Sequence, residues 1–290
     1  MGAQPLRGPI GVVGLGLIGG SLGLDLQQLG LEVRALVHRE GTAQRARERQ
    51  LAQVVSREAS VLSGCQLVVL ALPLDRLLDP PAELLAALPP EAVITDVGSV
   101  KQPILARWQG LHPRFVPSHP MAGTADSGVE AGIAGLFRSR PWVATPPSDG
   151  DPEALAAVAG LARALGALWF TCDAADHDRA VALISHLPVL VSAALLANAD
   201  QAGALSVAGS SLPQLVRVLA SSGFADTTRV GGGNPELGTL MARWNRAAVV
   251  DALLGYRHCL DRLERHLNAS DWPALRTELE RCQQLRPEFL

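Results

Sequence analysis

His119 stands in the string Pro117-Ser118-His119-Pro120-Met121-Ala122-Gly123-Thr124, which core packing has no reason to require. An imidazole near its ordinary pKa takes up a proton at neutral pH, so His119 is a candidate general base. Gly123 and Thr124 give this segment, read as a loop, freedom and a hydroxyl. Ser99 lies upstream in TDVGSVKQP. With Gln102 it matches a capping box, and one hydroxyl can both cap a helix and meet a ligand. Lys101 is the only lysine in the chain. It is either a solvated first-turn residue or a compact ammonium kept for a purpose. Asp96 reads as structural. In the second half, Ser185 and His186 stand together in ISHLPV, and Arg229 precedes three successive glycines, Gly231 to Gly233. The guanidinium offers a planar fork to a carboxylate, and glycines costly inside a helical domain make sense where backbone approaches a ligand. An ion pair with Asp226 is the alternative for Arg229. Asp176-His177-Asp178 looks metal-like, but acids at a helix start read as capping, and no metal site is expected.

Gly14-Leu15-Gly16-Leu17-Ile18-Gly19 is a G-x-G-x-x-G string that follows an apolar strand and opens a helix. The first glycine permits a tight turn, the second lets backbone approach a pyrophosphate, and the third lets helix and strand pack closely. The backbone around Leu17 and Ile18 therefore belongs to the cofactor set. So do Leu72 and Pro73, which end the third strand at the sheet edge where ligands bind. An NAD site usually has an acid at the end of the second strand. Here His38 stands there, 19 residues beyond Gly19, with Arg39 next. This pair suits a 2′-phosphate, so NADP is expected over NAD. The alternative is that Glu40 reaches back while Arg39 faces solvent.

These residues need elements to hold them. Apolar runs at 9–13, 31–37, 65–73 and 92–99 alternate with helical patterns at 16–30, 42–50 and 77–90. Such alternation predicts a parallel sheet with helices on both faces. Shorter β-like runs at 114–120, 141–146 and 167–172, with a helix at 151–166, extend that sheet, with some antiparallel pairing. Beyond Asp173 everything reads as helix: 176–199, 211–223, 235–269 and 271–285. The expected organisation is a Rossmann dinucleotide-binding domain, residues 1–172, followed by an all-α domain, residues 173–290.

Composition excludes several classes. The chain has 290 residues, 48% of them hydrophobic, which is enough for a large core. A net charge of −3 with 4% aromatic residues offers neither a basic patch nor a stacking surface for nucleic acid. No apolar run reaches membrane-spanning length without a charge or a Gly or Pro break, so no membrane association is expected. Four scattered cysteines lack metal-ligand spacing and read as reduced thiols of a cytoplasmic protein.

In order, GLGLIGGSL, TDVGSVK, SHPMAGT, DHDRAVALISHLPV and SSGFADTTRVGGGNPELG resemble the prephenate/arogenate dehydrogenase family of tyrosine biosynthesis. The likeness is greatest to its short, cyanobacterial-type, NADP-dependent arogenate dehydrogenases. It implies a helical domain that forms a homodimer and a small-molecule substrate, arogenate or prephenate. It makes His119 the catalytic histidine at the ring 4-hydroxyl and Ser99 the residue positioning that contact. Thr124 and Ser185 fall at substrate-pocket positions, His186 is counted with them, and Arg229 would bind the ring carboxylate. Val189 stands where many prephenate-type members carry a second histidine, and Ala225 where many carry a basic residue. Both changes remove a contact to a keto-acid side chain, so oxidative decarboxylation of L-arogenate to L-tyrosine is the expected activity. Two alternatives stay open: a prephenate dehydrogenase forming 4-hydroxyphenylpyruvate, and a non-catalytic NADP-sensing regulator.

Overall fold

A computed structural model describes residues 8–124, 126–204 and 212–289. The first part runs β1 (Ile10–Val13), α1 (Leu17–Gln28), β2 (Val33–Leu36), α2 (Glu40–Glu48), β3 (Val54–Ser56), β4 (Leu67–Leu70), α3 (Leu74–Leu78), α4 (Ala82–Ala87), β5 (Val93–Asp96), α5 (Gln102–Trp108) and β6 (Phe115–Val116). The six strands are parallel, in the order β3-β2-β1-β4-β5-β6. The order reverses beside β1, which opens a crevice at the carboxyl ends of β1 and β4. β1, β4 and β5 are buried along their whole length, as aliphatic strands covered on both faces must be. One core layer centres on Leu22, Leu26, Trp142 and Leu161, the other on Leu70, Leu77, Ile94 and Trp108.

The sheet-forming half departs from the sequence reading in four places. β3 is a three-residue edge strand with no apolar run to announce it. The 77–90 helix is two short ones, because Pro80 and Pro81 break it. Only β6 extends the main sheet. After Pro117 the chain enters a second, three-stranded sheet of β7 (Ser118–Pro120), β8 (Pro141–Ala144) and, after α6 (Pro152–Ala164), β9 (Leu168–Thr171). β7 pairs antiparallel with β8, with His119 opposite Val143, so His119 sits on a strand and not in a loop.

The rest is helical: α7 (Ala174–Val181), a π turn over Ala182–His186, α8 (Leu187–Ala204), α9 (Leu212–Leu219), α10 (Ser222–Thr228), a 3-10 turn over Arg229–Gly232, α11 (Pro235–Trp244), α12 (Arg246–Asn268) and α13 (Trp272–Leu285). The π turn precedes Pro188, which lacks an N–H and crowds the carbonyl four residues back, so the wider turn relieves both problems. The segment expected as one helix from 235 to 269 breaks at Asn245, whose side chain turns inward to make hydrogen bonds. The single helix expected over 211–223 ends at Leu219, and α10 starts anew after Ser221; residue 211 lies outside the described residues. By length and composition Ala174–Gln201 could cross a membrane, but its first turns bury His177, Asp178 and His186 within the fold.

Candidate active site

The dinucleotide cradle follows from β1 and α1. Gly14 has φ +91°, and a side chain there would strike the Ala71 carbonyl at 2.4 Å. A Cβ at Gly19 would lie 1.9 Å from the Gly14 carbonyl oxygen. At Gly16 a Cβ would meet no atom within 4 Å, so the open space lies at the second glycine, at the start of α1. No side chain caps α1 and its first turn carries no acid, which leaves N–H groups free for an anion. These residues fit a pyrophosphate. Leu72 is half-buried and Pro73 exposed just past β4. His38 and Arg39 are exposed past β2. The Glu40 carboxylate is engaged by Arg47 at 3.4 Å and Arg57 at 3.6 Å. Arg57, which the sequence reading overlooked, also donates from Nε to the His38 carbonyl at 3.3 Å.

The chemistry gathers where β7 meets α7. His119 is 9% exposed, and its Nδ1 lies 3.0 Å from His177 Nε2. His177 Nδ1 lies 2.8 Å from Asp178 Oδ1. Asp178 Oδ1 accepts the Lys101 backbone N–H at 2.7 Å, and Oδ2 accepts that of Gln102 at 2.9 Å. Asp178 therefore caps α5 from another helix, and the Ser99 capping box is not formed. Ser99 is half-buried. Burial, reinforced by His177, Lys101 and His186, holds the His119 pKa well below the usual histidine value. The imidazole is neutral and ready to accept a proton.

Lys101 is not solvated. It is completely buried, and its Nζ pairs with Asp96 and donates to the Ser118 carbonyl at 2.7 Å. Burial lowers its pKa, an effect that Asp96 opposes. Asp96 also accepts the Gly98 N–H at 2.7 Å and the Ser118 N–H at 3.1 Å, which ties β5 to β7 next to His119.

His186 is 2% exposed. Asn245 Nδ2 donates to the Asp178 carbonyl at 2.7 Å and lies 3.2 Å from His186 Nδ1. The amide nitrogen is a donor, so His186 Nδ1 accepts and the proton of the neutral ring sits on Nε2. That Nε2 is buried without a partner, a donor held in reserve. Burial lowers the His186 pKa to about 4. Ser185 is half-buried beside it, and Thr124 is exposed with its hydroxyl accepting the Asp126 N–H at 3.2 Å.

Arg229 is exposed, and among the described residues no ion pair with Asp226 forms. Gly231 answers to packing and not to a ligand: a Cβ there would meet the Ala193 amide of α8 at 2.4 Å, and its N–H donates to Ser192 Oγ at 2.9 Å. Of the Asp-His-Asp string, Asp176 pairs with Arg179 at the surface, while His177 and Asp178 turn inward. Reading both acids as ordinary capping missed them.

Residues 22–170 match the nucleotide-binding domain of prephenate dehydrogenase, and residues 173–281 match its dimerization domain. The chain belongs to the prephenate dehydrogenase family. The solved arogenate dehydrogenase of Synechocystis is 41% identical and superposes with a TM-score of 0.80, covering 97% of this chain and 99% of that one. The cyclohexadienyl dehydrogenase of Zymomonas mobilis is 29% identical over 96% of this chain and 94% of its own. The prephenate dehydrogenase of Bacillus subtilis is 28% identical over 92% of this chain and 72% of its own. As a prephenate dehydrogenase family member, the protein is an oxidoreductase of aromatic amino acid biosynthesis with a small-molecule substrate. That removes the non-catalytic sensor from consideration.

Proposed function

We propose that the protein oxidatively decarboxylates L-arogenate to L-tyrosine with NADP. The observation that carries this reading is His119: buried, neutral, held through Nδ1, and with Nε2 making no hydrogen bond among the described residues. Similarity to the Synechocystis arogenate dehydrogenase supports the substrate, and so do Val189 and Ala225, which offer nothing to a keto acid. His38, Arg39 and Arg57 supply cationic and donor groups at the end of β2 for a 2′-phosphate.

A nicotinamide dinucleotide, held by the Gly14–Gly19 turn and the end of β2, would supply the acceptor for a hydride from C4 of the substrate ring. His119 takes the 4-hydroxyl proton as that hydride leaves, and Ser99 contributes a hydroxyl to hold the same oxygen. Carbon dioxide departs from C1, its electron pair enters the ring, and His119 returns the proton to the phenolate oxygen. Atoms and charge then balance: arogenate and NADP⁺ give tyrosine, carbon dioxide and NADPH. Arg229 takes the ring carboxylate, and Thr124, Ser185 and the His186 Nε2–H line the remainder of the substrate. Aromatisation drives the decarboxylation, so the chain's task is positioning and charge handling. We divide the work between residues 1–172, which hold the cofactor, and residues 173–290, which complete the substrate site and pair two copies in a cytoplasmic homodimer.

A base of this kind contributes on the order of 10²–10⁴-fold. His119→Asn should lower kcat by that order while NADP binding, followed by calorimetry, stays within about twofold. Unchanged turnover would remove His119 from the chemistry.

A further inference from the structure

We propose that His177, seated on the Asp178 carboxylate, is a positioning residue that makes His119 present a bare Nε2 to the substrate and shares the proton His119 takes up. This rests on His119 being the base.

The argument is one of hydrogen-bond direction. Asp178 accepts two backbone N–H groups at the start of α5, at 2.7 and 2.9 Å, and so behaves as a carboxylate. A carboxylate can only accept, so His177 carries a proton on Nδ1, 2.8 Å from Oδ1. With its proton on Nδ1, His177 offers the lone pair of Nε2. Facing it at 3.0 Å, His119 Nδ1 must be the donor. The remaining nitrogen of His119, Nε2, is left with the lone pair that a base needs. The three residues form one directed chain, Asp178–His177–His119, that crosses from α7 to β7.

The chain also accounts for the proton in transit. When Nε2 of His119 takes the hydroxyl proton, the proton on its Nδ1 can shift to His177 Nε2. The positive charge then rests beside the Asp178 carboxylate. The reverse shift returns a proton to the phenolate oxygen, and no net proton is gained or lost. The other titratable groups near His119 are Lys101, already paired with Asp96, and His186, whose Nδ1 is held by Asn245. Neither makes a hydrogen bond to His119, which leaves His177 as the group that sets its tautomer.

Nitrogen-15 NMR of histidine-labelled, dinucleotide-free protein reads the tautomer directly, with the His119 signals assigned by their loss in His119→Asn. The expected spectrum near pH 8 shows His119 protonated at Nδ1 and bare at Nε2. A signal protonated at Nε2 overturns the inference, whatever the kinetics of His119→Asn. Two variants add a kinetic readout. His177→Phe, which cannot accept from Nδ1, should lose about 10–100-fold in kcat with substrate KM and NADP affinity within about twofold. His177→Gln, whose side-chain carbonyl can accept, should recover much of that loss. If both variants turn over as wild type does while His119→Asn is inactive, His119 remains the base and His177 is excluded. If His119→Asn is fully active, the underlying reading fails instead.

Discussion

Burial decides the protonation of His119 and His186, and that makes stability depend on pH. The His186 pKa falls from 6.5 to about 4 because the ring is buried. The unfolded chain therefore binds its proton near pH 6.5, while the folded chain binds it only near 4. Between those values the unfolded state holds more protons, so the stabilisation present above pH 6.5 is lost as pH falls and is gone below 4. For His186 alone the loss is on the order of 3 kcal/mol, and His119 shifts in the same direction. Urea denaturation at pH 7 and pH 4.5 should show the decline, and His186→Gln should make it smaller. An equal decline in both proteins would assign it to other groups. At this scale the sequence exposed His119, Ser185, His186 and the three loop glycines, because each belongs to a contiguous string. It hid His177, Asp178 and Asn245, whose meaning lies in contacts across 58 to 77 residues of chain.

Among the elements, the junction of β5, α5, β7 and α7 sets the geometry. Asp96 and Lys101 form a fully buried ion pair that also holds Ser118, so β7 cannot shift without unpairing a charge. Breaking one side of such a pair typically costs about 3–5 kcal/mol. Lys101→Met should therefore lose stability of that order in urea denaturation, and a stability within about 1 kcal/mol of wild type would show that the pair is dispensable. The parallel β-α alternation was legible because buried aliphatic strands and glycine or proline stops are local signals. β3, the two short helices around Pro80 and Pro81, the break at Asn245 and the second sheet were not. Each is decided by tertiary partners or by a proline whose effect depends on the neighbouring register.

For the molecule as a whole, the helical half leaves many large apolar side chains exposed, among them Val218, Leu219, Leu237, Val250, Leu254, Trp272 and Leu279, and this half matches a dimerization domain. The sheet half, by contrast, has its core closed on both faces and its crevice at the reversal of strand order. Function on this scale is the meeting of a dinucleotide edge with a helical wall, and the choice of substrate and cofactor is its sharpest expression. The most direct test is kcat/KM for the four pairings of arogenate or prephenate with NADP or NAD. The account predicts the highest value for arogenate with NADP. A higher value for prephenate or for NAD, or no reduced nicotinamide formed from either substrate, would contradict it.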